Sequence, residues 1–162
     1  MSKFSLVRID FRLIHGQVIT KWLKHSGANK IVIIDDFLSN DEFMKSIYVM
    51  AAPPGIEVEV YTKEEAMKEW NDNQFESSKV LLLMKDVPTT HAMYQMGLPL
   101  TNVQIGGLGA GADKKKVYGP IALSNEDFKL LNDMYEHDVE IVLHQVPDES
   151  PMNFNKVIQK FK

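Results

Sequence analysis

A chain of 162 residues with 44% apolar side chains is about one domain by the usual prior of roughly 150 residues, and it can bury a sizeable core. Its formal charge of -4 and pI near 5.7 exclude a basic field for nucleic acid, and zero cysteines exclude disulfides, thiolate metal sites and a cysteine nucleophile. No apolar run approaches the roughly 18 residues of a spanning helix, and Met1-Ser2-Lys3 leads into a strand without a signal-peptide block, so a soluble cytoplasmic protein is expected.

Phe4 to Ile9 reads as a buried strand, and Val18, Ile19, Trp22 and Leu23 fall on one face of a helix. Between them lies Arg8-Ile9-Asp10-Phe11-Arg12-Leu13-Ile14-His15-Gly16-Gln17-Val18, which sets two arginines, a carboxylate and a histidine at a strand-to-helix junction. A helix start offers unpaired N–H groups, and Gly16 lets an anion approach the backbone without a Cβ in the way. Arg12 is close enough in sequence to His15 for its planar fork to take two phosphoryl oxygens, and histidine is an ordinary neutral-pH nucleophile. The spacing is equally compatible with Arg8 and Arg12 as surface salt-bridge formers and His15 as a capping residue.

Lys30 to Ile34 is a β-rich run ending in Asp35-Asp36, and Ser39-Asn40-Asp41-Glu42 predicts a capping box opening a helix to about Ala52. Pro53-Pro54-Gly55 stops that helix, Glu57 to Tyr61 alternates as a strand, and Thr62-Lys63-Glu64-Glu65 is a second capping box for a helix to about Asn71. Lys79 to Met84 is the most continuously apolar strand, Pro88-Thr89 starts a short helix ended by Gly97, and Leu100 to Ile105 is again a strand. The glycine-rich stretch Gly106 to Gly111 is not a dinucleotide fingerprint, because no amphipathic helix follows it; a flexible loop closing over His15 is expected instead. Lys114 to Lys116 read as a solvated charge run, with docking of an acidic partner face as the alternative. Ser124-Asn125-Glu126-Asp127 caps a helix with Phe128, Leu130, Leu131, Met134 and Tyr135 on its core face, Val139 to Leu143 is a strand, and Asn153 to Phe161 a terminal helix.

Strands and helices alternating in this way predict a single α/β domain over residues 1–162, with a doubly wound, mostly parallel sheet and helices on both faces. Ligand sites in such sheets gather at the carboxyl ends of strands, where Asp10, Arg12, His15, Asp35, Asp36, Lys85, Gly106 and Gly107 are all expected. No histidine has metal-ligand spacing, so neither a metal nor a cofactor is expected.

The stretch Arg8 to Val18 resembles, nearly position by position, the active-site signature of EIIB subunits of the mannose/fructose/sorbose family of bacterial sugar phosphotransferase systems. Asp35-Asp36, Ala52-Pro53-Pro54-Gly55, Gly106-Gly107 and Gln145-Val146-Pro147 look like further family landmarks, whereas Phe11 stands where a polar residue is usual and Leu108-Gly109-Ala110 where an arginine often lies. The resemblance implies a phosphohistidine phosphotransferase that carries the group on Nδ1 of His15. Arg12 and Arg8 or backbone amides, with Gly16, would surround it, and Asp10 would orient arginine or imidazole. Asp35, Asp36, Gly106 and Gly107 would support the site. It further implies an EIIA donor, EIIC and EIID permease subunits holding the sugar, and peripheral attachment at that permease; homo-oligomerisation is left open. The other readings are a non-catalytic regulatory subunit of the same fold and a receiver-like domain phosphorylated on aspartate, suggested by Asp10, Asp35, Asp36 and Lys85.

Overall fold

The computed structural model of the protein describes residues 3–77 and 79–162. The first strand, β1 (Leu6–Asp10), begins later than the apolar run suggests and extends through Asp10. Its side chains alternate: Val7 and Ile9 enter one core, while Leu6 and Arg8 face the other side. β2 (Lys30–Ile34) and β4 (Val80–Met84) are buried at every position, as continuous apolar strands are when both faces of a parallel sheet are covered.

With β3 (Glu57–Tyr61), β5 (Asn102–Gly107), β8 (Glu140–Leu143) and the two-residue β9 (Met152–Asn153), these strands form one seven-stranded sheet in the order β3-β2-β4-β1-β5-β8-β9. Every pairing is parallel except β8 with β9. On one face α1 (Gly16–Ser26), α2 (Asp36–Ser39) and α3 (Glu42–Met50) set Ile19, Trp22, Leu23 and Leu38 against Ile31, Ile33, Leu81 and Leu83. On the other, α4 (Lys63–Asn73), α5 (Val87–Gln95), α6 (Asn125–Glu136) and α7 (Phe154–Lys160) bring Ala66, Met93, Leu131 and Phe154 to Val32, Ile34, Leu82 and Met84. This is the doubly wound α/β arrangement that the sequence pattern predicts.

Two local expectations are corrected. The helix expected from Ser39 begins later, as α3, and Ser39 instead ends the separate short α2, because carboxylates outcompete the hydroxyl as caps: Asp35 accepts the Leu38 N–H at 2.9 Å to start α2, and Asp41 accepts the Met44 N–H at 3.1 Å to start α3. Ser39 Oγ instead donates to Glu65 Oε1. The capping boxes read at Thr62 and Ser124 both form. The lysine run, read as a solvated charge run, lies on a strand that the sequence reading did not include: β6 (Lys114–Tyr118) pairs antiparallel with β7 (Ile121–Ser124), with Val117 turned into the core. Three consecutive lysines, Lys114 half-buried and Lys115 and Lys116 exposed, conceal the alternation that marks a strand.

Candidate phosphoryl-transfer site

β1 delivers Asp10 to the carboxyl edge of the sheet, where the chain leaves strand geometry. Asp10 is fully buried, and burial of a carboxylate is tolerated only when its oxygens are satisfied. Oδ2 accepts from Arg8 Nη2 at 3.2 Å and lies 3.1 Å from His15 Nε2. Oδ1 accepts the Arg12 backbone N–H at 3.1 Å and sits 3.7 Å from Arg12 Nε.

The next three amides are all committed: Phe11 donates to Gly107 O, Arg12 to Asp10 Oδ1 and Leu13 to Asp10 O. Leu13 takes a left-handed conformation, φ 55°, unusual for a leucine, and its side chain is buried in the α1 face of the core. Gly16, at the helix mouth with φ 48°, has open space where a side chain would be.

His15 precedes α1 in extended backbone and is 19% exposed. His15 occupies the N-cap position of α1, but its side chain makes no capping hydrogen bond. The Asp10 carboxylate beside Nε2 favours the tautomer that carries its proton there, and Nδ1 has no hydrogen-bond partner among the described residues. A neutral imidazole held this way has its nucleophilic lone pair on Nδ1.

Arg12 lies at the rim, 39% exposed, with its guanidinium 5.5 Å from the Phe11 ring centroid. Phe11, Arg12, Ala110, Lys116 and Pro120 help to line a depression of about 360 Å³ between this loop and the β6–β7 hairpin.

Arg8 does not share the rim. Expected at a phosphoryl group, it is placed instead in the interior, at 1% exposure, with Gln104 Oε1, His144 O, Gln145 O and Asp10 Oδ2 as its partners. Its guanidinium also lies 5.3 Å from the centre of the Trp22 ring, whose Nε1 donates to Gln145 O at 2.8 Å. Burial pulls the Arg8 pKa below its ordinary value, and the neighbouring Asp10 carboxylate opposes that shift.

The glycine pair has a steric origin. A Cβ on Gly106 would fall 2.0 Å from Arg8 Cζ, and one on Gly107 would fall 3.1 Å from Asp10 Oδ1. Both end β5, and Ala122 N–H donates to Leu108 O just beyond them, so this part of the stretch is tied down rather than a free flap.

Asp35 and Asp36 follow β2 onto the same edge. Asp35 caps α2 and shares a small cavity with Leu13 and Lys85. Asp36 accepts the Lys63 N–H and pairs with Lys63 Nζ at 2.8 Å, which holds its carboxyl below the ordinary range. Among the described residues, neither bonds to the His15 loop. The partners of Arg8 are what sequence reasoning missed; a glutamine within the apolar run Val103 to Ile105 is the signal that pointed to Gln104.

A family model described as "PTS system sorbose subfamily IIB component" matches residues 4–162. The crystal structure of manxB from Thermoanaerobacter tengcongensis is similar at 40% identity and a TM-score of 0.91, over 98% of this chain and 96% of that one. The sorbose-specific EIIB component of Klebsiella pneumoniae is 30% identical over 151 residues, covering 93% of this chain and 92% of its own length. The fructose-specific EIIB component of Bacillus subtilis (strain 168) is 23% identical over 159 residues, covering 98% of each chain.

Proposed function

The chain belongs to the sorbose subfamily of IIB components of the sugar phosphotransferase system, and on that premise we propose that it is a phosphocarrier working through His15. As a phosphotransferase component it accepts the group from the phosphohistidine of EIIA and delivers it to a sugar held by the EIIC/EIID permease. One EIIB-like domain, residues 1–162, does this from the cytoplasm, docking peripherally; among the described residues no helix is long and apolar enough to cross a membrane.

The observation that carries the reading is the Asp10–His15 pair, which leaves Nδ1 as the free ring nitrogen. Nδ1 attacks phosphorus, forming one N–P bond as the donor's N–P bond breaks, and the donor imidazole keeps the electron pair. The proton on Nε2 remains against Asp10, offsetting the positive charge that develops on the ring. Arg12 meets the equatorial oxygens at the rim, and the space beside Gly16 admits them to the helix mouth. Arg8 acts through Asp10 as a positioning residue. In the second step the sugar hydroxyl oxygen attacks phosphorus and its proton passes to solvent water, while the N–P bond breaks with its electron pair returning to Nδ1 of His15.

The test uses an EIIA charged beforehand with labelled phosphate and separated from the upstream enzymes. The unmodified chain takes the label, in a bond lost in acid and stable in base; His15→Ala, which removes little core, folds and takes none. Label on the alanine variant moves the chemistry elsewhere. An acyl-phosphate lability, or transfer that stops in excess chelator and returns with magnesium, selects the aspartate-phosphorylated receiver reading. An unlabelled but folded wild-type chain selects the regulatory one.

A further inference from the structure

Of the eight large hydrophobic residues exposed on the described surface, five lie together in the sequence of α2 and α3: Phe37 at 84% exposure, Phe43 at 72%, Ile47 and Val49 at 42% each and Met50 at 83%. Phe43, Ile47 and Met50 follow at i, i+4 and i+7, one stripe of α3. The core-facing stripe is a different one, since Met44 and Tyr48 are the residues of α3 that pack against the sheet. α3 therefore has two apolar faces but only one partner inside the fold, and it buries none of its residues fully. An apolar helix face left in water marks an interaction site.

The charge around this face narrows the partner. Residues 35–50 hold four carboxylates, Asp35, Asp36, Asp41 and Glu42, against one lysine, Lys45. Lys63 closes on Asp36, but Asp36, Phe37, Asn40, Asp41 and Glu42 still surround a shallow depression at the entrance to α3. This rim repels an anionic lipid surface and a second acidic copy of itself. It complements a surface rich in lysine and arginine, and short cytoplasmic loops of membrane proteins carry that excess. The position fits as well: α2 follows directly from the carboxyl end of β2, and Phe37, Leu38, Met44 and Tyr48 share a cavity with Leu13 of the His15 loop.

We propose that the Phe37, Phe43, Ile47 and Met50 face is the surface by which this chain docks on the basic cytoplasmic loops of its membrane partner. The opposite flank, where Arg12, Lys116 and the hairpin lie, is left for the phosphoryl donor. The inference rests on the phosphocarrier reading, because it needs a membrane acceptor; its test reads binding separately from phosphorylation.

The experiment compares the unmodified full chain with a Phe37→Ser, Phe43→Ser, Met50→Ser triple variant and with Glu42→Lys. All three positions of the triple variant are exposed, and a thermal melt verifies the fold. The probe is inside-out vesicles from cells expressing EIIC and EIID subunits of the same phosphotransferase family, with vesicles lacking them as the control. The expected result is at least a tenfold loss of co-sedimentation and of sugar phosphorylation by the triple variant, a smaller loss by Glu42→Lys, and labelling by charged EIIA within about twofold of the unmodified chain.

Unchanged co-sedimentation of the triple variant overturns the proposal. So does equal binding to permease-free vesicles, which assigns the face to lipid, or dimerisation of the unmodified chain that the triple substitution abolishes. A selective loss of labelling by EIIA overturns it too, assigning the face to the donor. Failure of the phosphocarrier reading itself has another signature, an unmodified chain that binds the vesicles and never takes label.

Discussion

Replacing Gly106 by alanine adds one methyl group at the point where β5 lies against Arg8. The new Cβ would sit 2.0 Å from Cζ and Nη2 and 2.5 Å from Nη1. Reaching ordinary contact at 3.4 Å requires the guanidinium to retreat by about 1.4 Å. A movement of that size breaks or stretches its bonds to Gln104, His144 O, Gln145 O and Asp10, leaving a fully buried carboxylate without its nearest cation. Disrupting one side of a buried pair costs about 3–5 kcal/mol. At roughly 2–4 °C per kcal/mol for a chain of this size, the melting temperature falls by about 6–20 °C.

Urea unfolding followed by circular dichroism measures the loss for Gly106→Ala, Arg8→Met and the double variant. Arg8→Met removes the group that the methyl collides with, and it also strips Asp10 of its partner, so it is as costly alone. The double variant should then cost little more than Arg8→Met, the two effects being strongly non-additive. A Gly106→Ala cost below about 1 kcal/mol, or simple addition of the two single losses, would refute the steric account.

Asp10→Asn keeps the shape but removes the charge that orders the His15 tautomer and pairs Arg8; transfer from charged EIIA should slow by about tenfold to a hundredfold, the loss of one charge-assisted hydrogen bond. Nitrogen NMR of the imidazole should show Nε2–H losing its dominance, and an unaltered tautomer would separate Asp10 from that role. Arg12→Lys retains the positive charge without the planar fork, so transfer should fall by a similar factor with stability nearly unchanged; equal rates would make Arg12 a bystander. Lys63→Met should destabilise by less than about 1 kcal/mol at neutral pH, because Asp36 is 44% exposed. The folded pKa of Asp36 is depressed, so the stabilisation is present above its ordinary value of 3.8 and lost as pH falls through the folded value; the gap between variant and parent should close below pH 3.8. A gap that persists in strong acid would show that Lys63 acts through packing.

The order of strands and helices was legible because the parallel sheet writes continuous apolar runs such as Val80 to Met84 and Lys30 to Ile34, and because Thr62 and Ser124 carry complete capping boxes. The hairpin was not, since Lys114, Lys115 and Lys116 report exposure rather than pairing. At the site, the nearness of Asp10, Arg12 and His15 could be read from sequence separations of five residues or fewer, all within one strand-to-helix junction. The division of labour between the arginines could not. Arg8 and Arg12 are the same residue type four positions apart, and only the long-range partners Gln104, His144 and Gln145, contributed by β5 and the end of β8, make one a buried support and leave the other at the rim.

Leu13 carries a consequence for how the molecule meets more than one partner. A leucine at φ 55° adopts a conformation that an unfolded chain visits seldom, and here it is kept by a buried side chain and an amide bonded to Asp10 O, with the amides of Phe11 and Arg12 fixed on either side of Asp10's reach. The loop's conformational entropy is thus surrendered when the protein folds, not at each encounter. On the phosphocarrier reading proposed above, donor and acceptor would in turn find the imidazole at the same height and angle, neither would have to supply ordering free energy, and a carrier that must release its cargo as readily as it receives it would be spared a tight resting complex with either.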